Sequence, residues 1–286
     1  MVENLNTTPK GSETLSGFVT HKNTQIRYRT SGKGGAVVLL HGFLEDLTMW
    51  DDITEVLSKR NRIVSIDLLG HGKTGNLGYV HTMSAQAEMV KAVLNHLKLR
   101  KYILIGHSMG GYVSLAFAEL FKDSIKGICL MNSTPVSDTK EKKINRDRAV
   151  VAVKQNHKMF IRMSITNLFS EENRTIFKKE IECLINDGLK LSVQGIVASL
   201  EGMKIRKNRK ALFRKATFKK MLILGKNDPV LDAQSLRDQT KNSDIKVVEF
   251  PDGHMSHIEN KKELIKTLQD FVKKPLPSPP RKGEGV

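Results

Sequence analysis

The sequence has few of the residues that mark disulfide-rich, metal-binding or membrane-spanning chains. Its 286 residues include two cysteines, Cys129 in an apolar run and Cys183 in a helical pattern. Their wide separation gives no metal-ligand spacing, so we expect two buried free thiols, no metal and no cofactor. No run of about 18 apolar residues is present, and the first 15 residues lack the apolar core of a signal peptide. These absences predict a cytoplasmic chain that is not inserted into a membrane.

Acidic residues are also scarce relative to basic ones, and the formal net charge is +17. Residues 204–220 contain nine Lys or Arg and no acid. Such an excess suggests nucleic acid, an anionic membrane surface or an anionic substrate as a partner. No nucleic-acid-binding motif accompanies the charge, and Ala211, Leu212, Phe213 and Ala216 fall on one side of a helix. We therefore expect a solvated basic face and no nucleic-acid partner.

What the sequence does contain is a regular alternation of short apolar runs and amphipathic segments. The apolar runs, which are typical of buried strands, are residues 36–40, 62–66, 102–105, 125–131, 221–225 and 245–250. The segments with helical spacing are residues 46–59, 82–99, 231–240 and 260–274. A β-hairpin pattern around residues 21–24 precedes them. This alternation predicts an α/β fold with a mostly parallel, doubly wound sheet and helices on both faces.

The alternation stops after the sixth strand, where a long segment rich in Lys and Arg is helical in pattern. We expect this segment, residues 137–217, to be a helical cap inserted into an α/β core formed by residues 1–136 and 218–274. The last residues, 275–286, include four prolines and little that could pack against a core. We expect them to be a disordered tail.

Residues 106–110 spell G-x-S-x-G around Ser108, between an apolar run and a helical segment. In a nucleophile elbow, a serine lies in a strained turn at the tip of a strand, and the two glycines leave room for neighbouring backbone. The pentapeptide alone also occurs by chance in loops. The hypothesis that Ser108 is a nucleophile therefore depends on finding a base and an acid elsewhere.

Asp228 and His254 each follow one of the last two predicted strands by a few residues. Ligand and reactive sites of parallel sheets lie outside the carboxyl ends of the strands, so both residues are expected near Ser108. The order Ser, Asp, His is that of the α/β-hydrolase arrangement. The alternatives are three other acids and one other base, namely Asp232, Asp244, Asp252 and His257.

Together these motifs resemble those of the α/β-hydrolase superfamily over residues 15–274. The matching segments are HGF at 41–43, DLLGHG at 67–72, GHSMGG at 106–111, GKND at 225–228 and GH at 253–254. The resemblance implies that Ser108 is the nucleophile, His254 the general base and Asp228 the acid that orients it.

The resemblance also implies an oxyanion hole made by the backbone N–H groups of Phe43 and Met109. Phe43, Leu44 and Met109 are then candidates for shaping a substrate pocket that is otherwise unknown. Some relatives carry the acid after the sixth strand, where this chain has Asn132 and Ser133, so that arrangement is excluded. The histidines near the turns, including His107, are expected to be structural.

A serine activated by an imidazole favours acyl transfer to water, so we predict cleavage of a carboxylic ester or thioester through an acyl-enzyme. The same residues also permit hydrolysis of a carbon–carbon bond or cofactor-free peroxidase or perhydrolase chemistry, and a non-catalytic binding protein is a third alternative. The expected partner is a small molecule. The basic composition suggests an anionic substrate such as a coenzyme A thioester, whereas the sequence does not indicate an oligomeric state.

Overall fold

An eight-stranded sheet forms the centre of the chain, which a computed structural model describes over residues 14–273. The strands are β1 Thr14–His21, β2 Thr24–Ser31, β3 Gly35–Leu40, β4 Asn61–Ile66, β5 Tyr102–His107, β6 Ile125–Met131, β7 Lys219–Gly225 and β8 Lys246–Phe250. Their order is β1-β2-β4-β3-β5-β6-β7-β8. The β1–β2 and β2–β4 pairs are antiparallel and the others parallel. The predicted mostly parallel sheet is confirmed, and the predicted tail at 275–286 lies outside the described residues.

Helices follow most of the strands and cover both faces of the sheet. They are α1 Asp51–Leu57, α2 Met83–His96, α3 Met109–Phe121, α4 Lys140–Thr166, α5 Asn173–Ile176, α6 Lys178–Gly188, α7 Val193–Lys204, α8 Lys210–Lys215, α9 Ala233–Thr240, α10 Ser256–Glu259 and α11 Lys261–Lys273. None of the helices in residues 14–273 is long and apolar enough to cross a membrane.

Strand β3 illustrates why the apolar runs are continuous rather than alternating. Val38 and Leu40 pack into the cluster that contains α2 and α3 side chains. Val37 and Leu39 pack on the opposite face, with α1 and α11. All four side chains are essentially inaccessible to solvent, and burying a Val or Leu contributes about 1.5–3 kcal/mol each. Both faces are therefore covered, as the uninterrupted apolar pattern predicts.

The predicted helix at 46–59 is divided into two pieces. A 3₁₀ turn, Leu47–Trp50, precedes α1. The Asp46 carboxylate accepts a hydrogen bond from the Thr48 N–H and caps this turn. The α-helical spacing of the apolar residues concealed this boundary, because a 3₁₀ turn differs from an α-helix by only a fraction of a residue per turn.

Helices α4–α8 lie between β6 and β7 and form what we call the helical insertion, residues 140–215. The described residues include no strand in this segment, which confirms a helical insertion after the sixth strand. Its longest helix, α4, is interrupted at Asn156 (φ −153°, ψ 82°). The insertion therefore contributes several short helical surfaces instead of one continuous rod.

The basic run at 204–220 is not a wholly solvated face, contrary to expectation. Arg206 is buried and its Nη1 lies 2.6 Å from Asp138 Oδ1. Arg209 is also buried, with Nη2 2.7 Å from Glu119 Oε2. The acids that neutralise these arginines come from distant parts of the sequence, so a local count of charges missed them.

The expectation of two buried thiols is half wrong. Cys129 is buried in β6, whereas Cys183 in α6 is exposed. Helix α6 buries Ile181 and Ile185, which are four residues apart and share one face. Cys183 lies midway between them in sequence and therefore on the opposite face of the helix.

Candidate active site

Ser108 occupies a sharp turn between the end of β5 and the start of α3. Its backbone has φ 47° and ψ −111°, a conformation that costs a non-glycine residue about 1–3 kcal/mol. The Ser108 N–H donates to the Met131 carbonyl at 2.9 Å, and the Ser133 hydroxyl donates to the Ser108 carbonyl at 2.7 Å. Contacts with the end of β6 therefore hold the strained residue in place.

The two glycines of the motif are required by close backbone packing. A Cβ atom on Gly110 would lie 2.1 Å from the Leu40 carbonyl oxygen, and one on Gly106 would lie 2.3 Å from the Gly110 carbonyl oxygen. A side chain on Gly110 would therefore push α3 away from β3, and one on Gly106 would push α3 away from β5. The glycines thus place the first turn of α3 directly beside Ser108.

Asp228 and His254 come together at the same edge of the sheet. His254 Nδ1 lies 2.8 Å from Asp228 Oδ2, and the N–H groups of Val230 and Leu231 donate to Asp228 Oδ1. Burial alone would raise the pKa of Asp228, but the charge and hydrogen bonds of these partners outweigh it and lower that pKa. The ionised carboxylate keeps the hydrogen on Nδ1, which leaves Nε2 of His254 as the proton acceptor.

The alternative acids and base have other partners. The Asp232 side chain caps α9, Asp244 pairs with a lysine, and Asp252 accepts hydrogen bonds from two asparagine amides. His257 is buried, with Nε2 3.8 Å from Glu45 Oε1. Among these candidates within residues 14–273, the geometry therefore joins Asp228 to His254 and leaves the others in structural roles.

Asn132 links Asp228 to the loop that carries His254, and sequence reasoning missed this role. It lies at the end of β6 with φ 44° and is fully buried. Its Nδ2 donates to Asp228 Oδ2 at 3.3 Å and to the Gly253 carbonyl at 3.1 Å, and its Oδ1 accepts from the Ser256 hydroxyl at 2.7 Å. Its position directly after a parallel strand was the signal that could have identified it.

A second carboxylate–imidazole pair, Glu45 and His107, lies next to the first. Glu45 Oε2 is 2.7 Å from His107 Nδ1 and accepts a hydrogen bond from the Gly42 N–H at 2.7 Å. His107 Nε2 is 3.0 Å from the His254 carbonyl oxygen. Both ring nitrogens face oxygen acceptors, so both carry hydrogen and His107 is an imidazolium.

The shifts in pKa agree with this charge assignment. Burial alone would lower the pKa of His107, but the charge and hydrogen bond of Glu45 outweigh burial and raise it. Burial alone would raise the pKa of Glu45, but the neighbouring histidines, His107 above all, lower it to about 2. His107 was expected to be a structural turn residue. In the structure it forms a buried ion pair that joins the loop after β3, the Ser108 turn and the His254 loop.

Glu45, His107 and His257 also form a geometric candidate for a metal site, since three ligand atoms lie within 4.8 Å of one another. Two imidazoles and a carboxylate are ligands that zinc and related ions accept. A metal would, however, have to displace the hydrogen that His107 Nδ1 shares with Glu45. Burial lowers the pKa of His257 to about 4, so this ring is neutral. The hydrogen-bonding pattern favours an ion pair at this cluster.

The backbone N–H groups expected to bind an oxyanion are both unused by their local structure. Met109 is the first residue of α3, so its N–H has no partner within that helix. Among the residues of 14–273, none accepts a hydrogen bond from the Phe43 N–H. The positive end of the α3 dipole points in the same direction as the Met109 N–H. Both donors are therefore free to bind an anion that develops near Ser108.

A cavity of about 110 Å³ opens beside Ser108 and His254. The insertion supplies Arg146, Ser164, Leu168 and Met203 to its wall, and the core supplies Phe43, Leu44 and Tyr112. The side chain of Met109 does not line it, although we expected that side chain to shape the pocket. It is fully buried, with Sδ 4.0 Å from Gln86 Nε2. Another depression, between α1 and α11, contains none of the predicted site residues.

Comparisons with known proteins identify the family of folds that this chain resembles. A family model described as the alpha/beta hydrolase fold matches residues 35–162. A malate-bound esterase from Thermogutta terrifontis superposes with a TM-score of 0.83 at 26% identity, covering 93% of this chain and 100% of that chain. The chain therefore has the fold of the α/β-hydrolase superfamily. The enol-lactonase from Burkholderia xenovorans LB400 shares the fold, with a TM-score of 0.83 at 20% identity over 90% of this chain and 100% of that one.

Sequence similarity to one relative extends over almost its full length. The chain is 28% identical over 264 residues to a putative 2-succinyl-6-hydroxy-2,4-cyclohexadiene-1-carboxylate synthase from Bacillus subtilis (strain 168), which covers 86% of this chain and 95% of that protein. The similar proteins thus include an esterase and a putative synthase. These similarities support hydrolase activity on a small molecule. Which bond is cleaved has to be inferred from the residues of the site.

Proposed function

We propose that this protein is a serine hydrolase that cleaves a carboxylic ester or thioester through an acyl-enzyme intermediate. The observation that carries the proposal is the 2.8 Å contact between His254 Nδ1 and Asp228 Oδ2 at the cavity that contains Ser108. The similar Thermogutta esterase supports the same class of reaction.

In the proposed mechanism, Ser108 Oγ attacks the carbonyl carbon and transfers its proton to His254 Nε2. The N–H groups of Phe43 and Met109 stabilise the negative charge on the carbonyl oxygen, and loss of one such donor typically costs about 10²- to 10³-fold in turnover. The alcohol or thiol leaves with the proton from His254. Water, which gives a proton to His254, then attacks the acyl-enzyme, and the acid leaves as the proton returns to Ser108. Asp228 holds the ring in one tautomer and stabilises the imidazolium.

We also propose that residues 137–217 are a cap domain and that 1–136 and 218–274 are the core. The four insertion side chains on the cavity wall support this division, because substrate contacts then come from the cap and bond-breaking groups from the core. The His254 N–H donates to the Leu168 carbonyl at 3.0 Å, so the cap also contacts the backbone of the proposed base. Substitution of cap residues should therefore alter the preference among substrates more than the type of bond that is cleaved.

Substitution of Ser108 tests the nucleophile directly. Ser108→Ala should lower hydrolysis of p-nitrophenyl acetate by about 10³- to 10⁶-fold, abolish the burst of p-nitrophenol and prevent labelling by a fluorophosphonate. Ser164→Ala is the matched control, because Ser164 lines the same cavity without a paired base. It should retain the burst and the label. A wild-type protein that neither reacts with the fluorophosphonate nor cleaves any ester or thioester would contradict the proposal.

Carbon–carbon bond hydrolysis by the same three residues is the second candidate function. It is favoured by the 28% identity over 120 residues to a 2-hydroxy-6-oxo-6-(2'-aminophenyl)hexa-2,4-dienoic acid hydrolase from Metapseudomonas resinovorans, whose named substrate contains no ester or thioester. A wild-type protein that fluorophosphonate labels at Ser108, yet that leaves a full panel of esters and thioesters intact, would support this candidate. Turnover of esters at rates that Ser108→Ala abolishes would favour the first.

A further inference from the structure

The cavity beside Ser108 carries an excess of positive charge on its insertion side. Arg146 in α4 is the one arginine or lysine among its described lining residues, and no Asp or Glu lines it. The other cation on the wall, the imidazolium of His107, is neutralised by Glu45 at 2.7 Å. Arg146 is therefore the charge that a substrate in this cavity would meet.

The Asp138 carboxylate pairs with Arg146 but does not neutralise it completely, because it also pairs with a second arginine. Arg146 Nε donates to Asp138 Oδ2, and Nη2 lies 3.5 Å from Oδ1. The same carboxylate, whose side chain is 1% exposed, also pairs with Arg206 at 2.6 Å. Burial alone would raise the pKa of Asp138, but the two arginines outweigh burial and lower it. One ionised carboxylate thus serves two guanidinium groups and leaves one positive charge in excess.

The two arginines differ in how many of their guanidinium N–H groups donate hydrogen bonds within the protein. The Arg206 guanidinium lies 4.1 Å from the centre of the Tyr112 ring and donates to the carbonyls of Val136 and Met203. It is a structural group. In contrast, Nη1 of Arg146 donates to none of the residues in 14–273. Arg146 lines the cavity and therefore offers it a guanidinium group whose donors are not all used.

We propose that the cavity binds substrates with a carboxylate on the acyl group, held by Arg146 while the scissile carbonyl lies at Ser108. A guanidinium edge matches the two oxygens of a carboxylate, and a wall without Asp or Glu adds no repulsion of an anion. Arg146 and Ser108 line the same cavity of about 110 Å³, so a small substrate can contact both groups. This inference rests on the proposed function.

Half-esters of dicarboxylic acids test the inference against matched neutral compounds. The panel is the monoethyl esters of malonic, succinic and glutaric acids, each paired with the ester in which an amide replaces the free carboxylate. For at least one chain length, wild-type kcat/KM should be about 10- to 100-fold higher for the acid than for its amide, as expected for a charge-assisted hydrogen bond. Arg146→Gln should bring this ratio close to one.

Arg148→Gln is the matched control, since Arg148 is an exposed residue of the same helix and should keep the wild-type ratio. If Arg146→Gln does not fold, Arg146→Lys, which keeps a positive charge, should retain part of the preference. Equal turnover of acids and amides by the wild type, or an unchanged ratio in the Arg146 variant, would overturn the inference.

A binding measurement separates failure of this inference from failure of the proposed function. Succinate and glutarate are titrated by calorimetry into Ser108→Ala and into Ser108→Ala/Arg146→Gln. If the proposed function is wrong but Arg146 binds carboxylates, no ester is hydrolysed and at least one diacid still binds to the first variant and not to the second. If both variants fail to bind either diacid while the wild type cleaves neutral esters, the carboxylate site alone is refuted.

Discussion

Two buried carboxylate–imidazole pairs lie side by side in this protein and have different roles. The Asp228–His254 and Glu45–His107 contacts measure 2.8 and 2.7 Å, and all four side chains are at most 3% exposed. They differ at the second ring nitrogen. His254 Nε2 hydrogen-bonds none of the described residues and opens to the cavity, whereas His107 Nε2 faces a backbone carbonyl. The same two groups thus form the proposed base and its acid in one place and a buried ion pair in the other.

The largest expected effect is the loss of activity when the Asp228–His254 pair, which lies at the cavity, is altered. Asp228→Asn should lower kcat/KM for an ester by about 10⁴-fold, because an amide stabilises the wrong tautomer of the neighbouring imidazole. Steady-state kinetics measure the loss. Asp232→Asn is the control, since asparagine also caps a helix well and this residue caps α9. A rate close to that of the wild type would show that the two pairs do not differ in the way described.

Glu45→Gln tests the other pair and should act on stability more than on catalysis. The substitution leaves a buried imidazolium without its counterion, which typically costs about 3–5 kcal/mol. Urea unfolding measures the change in the free energy of unfolding. The double variant Glu45→Gln/His107→Gln removes both charges and should recover part of the loss. If Glu45→Gln unfolds at the same urea concentration as the wild type, the pair is not an ion pair.

The neutral histidine beside this pair should limit stability in acid. The pKa of His257 falls from 6.5 to about 4 on folding because of burial, so the unfolded chain binds the proton more readily. Its contribution is present above pH 6.5 and is lost as the pH falls toward 4. The full shift corresponds to on the order of 3 kcal/mol.

His257→Gln should flatten this dependence, as measured by urea unfolding at several pH values between 4 and 6.5. The contribution of Glu45 is lost at lower pH, as the pH falls from 4.5 toward 2, so the two effects occupy different ranges. An unchanged slope in the variant would assign the acid sensitivity to another group.

The smallest expected effect is a change in stability when Ser108, in the strained turn after β5, is replaced. Ser108→Gly should stabilise the fold by about 1–3 kcal/mol, because glycine adopts a positive φ without penalty. Ser108→Ala keeps the strain and is the control, and neither variant should retain activity. Thermal unfolding compares the three proteins. Equal midpoints for the glycine and alanine variants would remove the argument that strain is stored at this residue.

Much of the sheet and the positions of Ser108, Asp228 and His254 could be predicted from the sequence. Each of these residues follows an apolar run, and parallel strands bring their carboxyl ends to one edge. The Glu45–His107 pair was not predictable in this way. It joins residues 62 positions apart, and Glu45 lies outside the HGF motif with which its loop begins.

The insertion was harder to predict than the core for a physical reason. Its helices are held in part by ion pairs such as Asp138 with Arg146 and Arg206, and charged residues on a helix carry no periodic signal that identifies their partners. The apolar strands of the core, in contrast, are specified by their own pattern. The helical nature of the insertion could be predicted, but the inward direction of Arg146 could not.

The contrast between the two thiols offers a practical means to follow the insertion. Burial raises the pKa of Cys129, which suppresses its thiolate, whereas Cys183 is exposed on α6. A maleimide dye should therefore attach to Cys183 in the unmodified chain. Fluorescence from that single label would report whether α6 changes its surroundings when a substrate enters, without any engineered cysteine.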